Sequence, residues 1–319
     1  MNRTTIFVAV GLALAAALSA APAQAQNARS FVSGHGSDAA ACTLAAPCRT
    51  LAAAFAATNA GGEIDVLDPA GYGALTINKA ISIVNDGVGT AGVIVPSGGI
   101  GITITAGTND AVSLRGLSIE GAGVGLTGIQ FNAGKSLTVE NCVIRHVTAD
   151  GIDFLPPGSS RLSVSNSVVA DNSGTGIAIV PSGTGTTVTA VFNRIQVNNN
   201  AGSGGGIRLD TTGAVFPGTV NAVVYDSIAQ GNTTGPGFSA TNFTFVGKPT
   251  TMMIFHSVAA DNSIGILGQN SAFIRVANSM VTGNATGWQT DNATVLSYGD
   301  NYIDGNIGSE TAPPSIARK

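Results

Sequence analysis

The sequence predicts an all-β rod, a single column of short parallel strands stacked rung upon rung. Three observations carry that expectation. From Gly116 to Asp300 a unit of 22 to 33 residues keeps returning. Each unit holds about three short runs of alternating apolar and polar residues and no run of helical length. The 319 residues include 43 Gly and 24 Asn, with 44% hydrophobic, 10% charged and 5% aromatic. That composition is too apolar for disorder and too poor in Glu, Lys and Arg for a coiled coil or helical bundle. Only 14 Lys and Arg, spread along the chain at a net charge of −4, leave no basic patch for nucleic acid.

Taken in order, the chain opens on an address. Arg3 precedes the 13-residue apolar run Ile6 to Leu18, which is too short to cross a bilayer, and Ala23-Gln24-Ala25 has the small-x-small form of a cleavage site. A signal peptide over 1–25 is therefore expected, and with it a secreted or periplasmic protein. No later segment is long and apolar enough for a membrane span. Export brings an oxidising compartment, so Cys42 and Cys48, which bracket a seven-residue loop, are expected to pair, leaving Cys142 free. No His pair at zinc spacing completes a metal site around them. Pro47 to Thr58 is the one helix candidate, with Leu51, Ala54 and Phe55 on one face and Pro47 at its start. It is expected to plug the first rung. The resulting division is 26–61 for the N-terminal strand, Cys loop and capping helix, 62–307 for the stacked rungs, and 308–319 for a loose tail after Pro313-Pro314.

The repeat itself is aligned on Gly116, Asn141, Asn166, Asn193, Asp226, His256, Asn278 and Asp300, at spacings 25, 25, 27, 33, 30, 22 and 22. Six residues later an Asn returns as Asn172, Asn199, Asn232, Asn262, Asn284 and Asn306. Then comes a Gly-apolar pair such as Gly151-Ile152 or Gly176-Ile177. No single unit can bury its own apolar side, but stacked units can, about 4.8 Å apart. About ten rungs are expected. Asn suits a repeated turn, because it tolerates the left-handed backbone and its amide can bond the amide above. Glycine before each apolar residue suits a sharp corner.

The opening Phe31-Val32-Ser33-Gly34-His35-Gly36-Ser37-Asp38, the following Pro47-Cys48-Arg49-Thr50-Leu51 with its Ala-rich helix, and the Asn-rich units from Leu114 to Asn306 resemble secreted right-handed parallel β-helix proteins of the pectin-lyase-like superfamily, above all its uncharacterised bacterial members. The resemblance implies a single-stranded right-handed parallel β-helix with an N-terminal helical cap. It leaves activity open, since that superfamily includes pectate lyases, polygalacturonases, epimerases and tailspikes. The polygalacturonase-like set is missing: there is no Asp-Asp pair, the only Gly-His is Gly34-His35, and Arg194-Ile195-Gln196 lacks the lysine.

Two candidate sites follow. Asp150, Asp153 and Asp171 form the best carboxylate cluster, able to hold calcium or to divide acid and base roles; otherwise they are a solvated strand and turn. Apart from that calcium, no cofactor or metal is expected. His146 and Asp171 share one position in adjacent units, as a vertical ion pair or as an acid/base dyad. The second candidate is a groove. The three longest units place loops near 181–187, 210–219 and 240–250 on one side, beside an outward ladder of Phe192, Tyr225 and Phe255, with Arg208, Asp210 and Lys248 alongside. Aromatic faces with polar neighbours suit a sugar, although the loops could equally bury the ladder. The function expected is a monomeric, non-catalytic glycan-binding or surface module. The alternative is a pectate-lyase-like enzyme, and the partner in either case is a polysaccharide or cell-surface glycan.

Overall fold

A computed structural model describes residues 27–183, 185–212, 218–242, 250–308 and 310–318. The expected signal peptide and Lys248 lie outside them. Each rung gives one strand to each of three sheets, and every pairing within the sheets is parallel. The first sheet has eleven strands, from Asn27–Val32 to Thr294–Ser297. The second has ten, from Ala70–Gly71 to Tyr302–Ile303, and the third nine, from Leu75–Ile77 to Thr286–Asp291. The chain is thus a parallel β-helix whose rungs run along nearly all of its described length.

Strand alternation sends one side chain in two to the axis, where equivalent residues stack. The first sheet contributes the column Leu114, Val139, Val164, Phe192, Val224 and Ile254, all buried. In the third, Phe131 lies on Phe154 with ring centroids 4.3 Å apart. Each such side chain removed from water contributes roughly 1.5–3 kcal/mol, so the rod is held by its columns and not by any one rung.

The register corrects the sequence alignment in one unit. Ser165 pairs with Asn193 and Asn166 is followed in the stack by Arg194, because both Asn166 and Arg194 hold the left-handed turn (φ +49° and +53°). Phe192 therefore pairs with Val164 and points inward, 0% exposed. It is core, not part of an outward ladder: a one-residue shift moves a strand residue to the other face. The same shift replaces Asn199 by Asn200 in the ladder. Asn172, Asn200, Asn232, Asn262, Asn284 and Asn306 are buried, and the amide nitrogen of each of the first five donates to the next amide oxygen at 2.8–3.2 Å. The left-handed residue is the one before each ladder Asn, as at Asp171, Asn199 and Asp261. The ladder Asn is selected for its amide alone. A second row, missed in the sequence, runs beside it: Ser227 N–H donates to Ser257 Oγ and Ser257 N–H to Ser279 Oγ, both at 3.1 Å. Cys142 occupies this row, buried, and burial pushes its thiol up to about 11.

The glycine row serves close approach and not corner geometry. A Cβ on Gly176 would meet Val197 Cγ1 at 2.3 Å and the Asn200 amide at 2.8 Å. At the N-terminal end, Cys42 and Cys48 are disulfide-bonded. The helix α1 spans Leu51–Ala57, shorter than the expected Pro47–Thr58. Thr50 caps it, accepting from Ala53 N–H, while Arg49 and Thr50 N–H are held by Asp38 Oδ1 at 2.9 Å, so the chain turns before the helix begins. Leu51, Ala54 and Phe55 face the core. The tail is not loose: Ser315 pairs with Ser297, and Ile316 N–H donates to Ser297 O.

Candidate functional site

The predicted site residues fall in four places. Asp150, Asp153, Arg208 and Asp210, divided between the two candidates in the sequence, come together on the outer face of the third sheet. The strands Thr127–Ala133, Ile152–Phe154, Ile177–Ile179 and Ile207–Asp210 lie side by side there, and their central outward positions are Gln130, Asp153, Ala178 and Arg208 in register. Ala178 is the small residue of the row, and it is 0% exposed although it faces outward. Larger neighbours on either side cover it.

Burial pushes the Asp153 carboxyl up to about 6, and the negative charge of Asp150 adds to the shift. A hydrogen bond from Gln130 and the positive charge of Arg208 oppose it without cancelling it. Asp150 Oδ1 accepts from Thr175 N–H at 2.6 Å, which fixes it at the turn. The Arg208 Nη1 lies 3.2 Å from Asp210 Oδ2, while its Nε is buried with no hydrogen-bond partner among the described residues. Asp210 is held from the other side by Thr212, whose N–H and hydroxyl donate to Oδ1 at 2.9 and 2.6 Å. A carboxyl pushed up to about 6 thus shares a face with a partly exposed arginine. Such a face can exchange a proton or bind polar hydroxyls. Gln130, Thr175 and Ala178 were missed in the sequence. The signal was present, since each of Gln130, Asp153, Ala178 and Arg208 directly follows a Gly-Ile pair.

The second place is the turn after the second sheet, where the predicted His146–Asp171 pair does not form. His146 Nδ1 lies 2.8 Å from Glu120 Oε1, and Asp171 accepts from Asn199 Nδ2 at 3.1 Å. Glu120 wins the histidine because Arg145 also binds it, at 2.9 Å, and the Ala122 N–H points at it. Burial acts to raise the Glu120 carboxyl, but these donors together hold it below its ordinary value. Asp171 is bonded at this turn and Asp150 to Thr175 N–H, and no group of three His, Cys, Asp or Glu side chains that could hold a metal occurs among the described residues.

The remaining two are the core, which takes Phe192, and the outer face of the first sheet, which takes Tyr225 and Phe255. Those two rings are stacked, centroids 5.6 Å apart and 10° from parallel, and 40% and 38% exposed. The groove expected from the sequence is therefore two separate faces. Trp288, in the last strand of the third sheet, packs against the core, its Nε1 donating to Thr311 O at 2.6 Å.

Residues 66–216 match the family profile described as a right-handed β-helix region. A comparison with curated proteins finds no match. Among solved structures, the chain is similar to pectate lyase Pel9A, at 18% identity and TM-score 0.62 over 91% of this chain and 78% of that one. It is also similar to ORF18 of Geobacillus virus E2 (14%, TM-score 0.47, 78% and 55%) and to the A-module of the Azotobacter vinelandii mannuronan C-5 epimerase AlgE4 (15%, TM-score 0.37, 81% and 91%). At these identities the likeness to the lyase is one of fold.

Proposed function

Because the chain has the right-handed parallel β-helix fold of the pectin-lyase-like superfamily, we propose that it is an exported protein that binds a polysaccharide across the outer face of its third sheet, with Asp153 and Arg208 as the contacting groups. The observation that carries this reading is the placing, in one register, of a partly buried carboxyl pushed up to about 6 and a partly exposed arginine that Asp210 holds in place. Protonated, Asp153 donates to a sugar hydroxyl; ionised, it accepts from one. A glycan array on the purified protein tests it. Arg208→Ala and Asp153→Ala should each weaken the best ligand about tenfold, the loss of one hydrogen bond to a charged group. Unchanged affinity in both variants sinks the assignment.

A second reading, a polysaccharide lyase or hydrolase, is favoured by the Asp153 titration alone. If Asp153 serves as a general acid, activity should fall as pH rises through about 6; if it serves as a base, activity should rise there. Product formation that vanishes in Asp153→Asn supports this reading, and turnover that persists in that variant removes it.

A further inference from the structure

On the first sheet, the last outward position of successive strands reads Asn193, Tyr225, Phe255 and Ala277, all in register. Tyr298 continues the row: it follows Ser297, which pairs with Val276, and its N–H donates to Val276 O at 3.0 Å. Three of these five residues are aromatic. The first two aromatics stack on each other, and then Ala277 breaks the row before Tyr298 resumes it. The break is a cleft of about 690 Å³ lined by Phe255, Ala277, Asn278, Tyr298, Asp300 and Arg318.

We propose that this cleft is a sugar-binding slot, separate from the third-sheet face, in which one neutral pyranose ring takes the place of the missing aromatic between Phe255 and Tyr298.

The spacing supports a ring in that position. Adjacent strands lie about 4.8 Å apart, so Phe255 and Tyr298, two rungs apart, are attached about 9.6 Å from each other. A ring seated over Ala277 then lies about 4.8 Å from each, inside the window of roughly 4.5–7 Å in which ring faces stack. The Tyr225–Phe255 contact, at 5.6 Å, shows the same row already stacking at one rung's distance. Ala277 contributes only a methyl group to the cleft, Phe255 and Tyr298 line it on either side, and Asn278, Asp300 and Arg318 supply the polar groups. Arg318 pairs there with Asp300, and Asp300 Oδ1 also accepts from Asn278 N–H at 3.0 Å. The tail provides this rim, because Ser315 is pinned beside Ser297 and Arg318 is carried back to the cleft. A pyranose has the matching anatomy, with C–H groups on its faces and hydroxyls round its edge. The rim charges cancel as a pair, so an uncharged sugar suits the slot better than a uronate, whose carboxylate would meet Asp300.

The experiment measures binding of cellohexaose, xylohexaose and mannohexaose by titration calorimetry, with hexagalacturonate as the charged comparator. One of the neutral hexaoses should bind the wild-type protein at least tenfold more tightly than hexagalacturonate. Ala277→Phe, which refills the row, should weaken that binding at least tenfold, while Ala277→Ser should leave it unchanged. Tyr298→Ala and Phe255→Ala should each weaken it about fivefold, and they carry the test if Ala277→Phe does not fold. Asn109→Ala, on an exposed turn outside both faces, should leave hexaose binding unchanged, and a loss confined to the Phe255, Ala277 and Tyr298 variants reads the slot separately from the third-sheet face. No binding of any neutral hexaose, equal binding by Ala277→Phe with the fold intact, or tighter binding of hexagalacturonate overturns the proposal.

Discussion

Two polar rows run along this rod, and they are built on opposite rules. The inner row, from Asn172 to Asn306, repeats one residue, and every amide finds the same partners as its neighbours. Each interior Asn nitrogen also reaches a backbone carbonyl, as Asn232 Nδ2 does with Val197 O at 3.1 Å. Repetition therefore satisfies the row, and its polar groups can be fully buried without penalty. The outer row, Gln130, Asp153, Ala178, Arg208 and Ser239, repeats nothing. Asp153 is left with a charge that burial disfavours and Arg208 with a donor unmet. Identity along a stack produces stability, and a break in identity produces chemistry.

The largest expected effect tests inside against outside directly. Phe192→Ala should cost about 3–5 kcal/mol, the cost of a large buried aromatic, read from denaturant unfolding. A loss under about 1 kcal/mol would return Phe192 to the surface and the register with it. Asn232→Leu should cost about 3 kcal/mol, since it strands the Asn200 N–H and the Asn262 amide inside the rod. Asn109→Ala, on an exposed turn, should leave the thermal midpoint in place. Equal midpoints for the two variants would show that the ladder holds nothing.

Tyr225→Ala should cost only about 1 kcal/mol, the worth of one exposed stacked pair. A cost near that of Phe192→Ala would mean that the ring is buried. The outer row also carries a pH dependence. The folded-state value of Asp153 is raised from 3.8 to about 6, so its contribution to stability is complete below about pH 4 and is lost as pH rises through 6. Asp153→Asn carries no such charge. Its midpoint should gain on the wild type between pH 4 and 7 and run parallel to it above. Two curves parallel throughout would show that Asp153 titrates as an ordinary surface carboxylate. Asn232→Leu should shift the midpoint without changing its slope in pH.

The repeat unit, the alternation and the Gly-Ile pairs lay in the sequence, and with them the stacked parallel rungs, because a rung cannot bury its apolar side except against a copy of itself. The residues of the third-sheet face were legible singly: Asp150 and Asp153 as a cluster, Arg208 and Asp210 beside a groove. That they form one place depends on which strand lies next to which, and on Ala178 standing between Asp153 and Arg208. The sequence contains those residues but not their adjacency. Phe192 and Asn199 were misplaced for a smaller reason. The turn between Asn193 and Gln196 has room for either of two alignments, and only the ladder hydrogen bonds and the φ of Arg194 choose between them. His146 is the clearest case. Its position in the stack was readable and its partner was not, since Asp171 and Glu120 lie one rung to either side, and the choice fell to the one already gathered by Arg145 and the Ala122 N–H. Periodicity determines which residues share a column. Which side chains then satisfy one another is decided in three dimensions, by burial and by competition for donors.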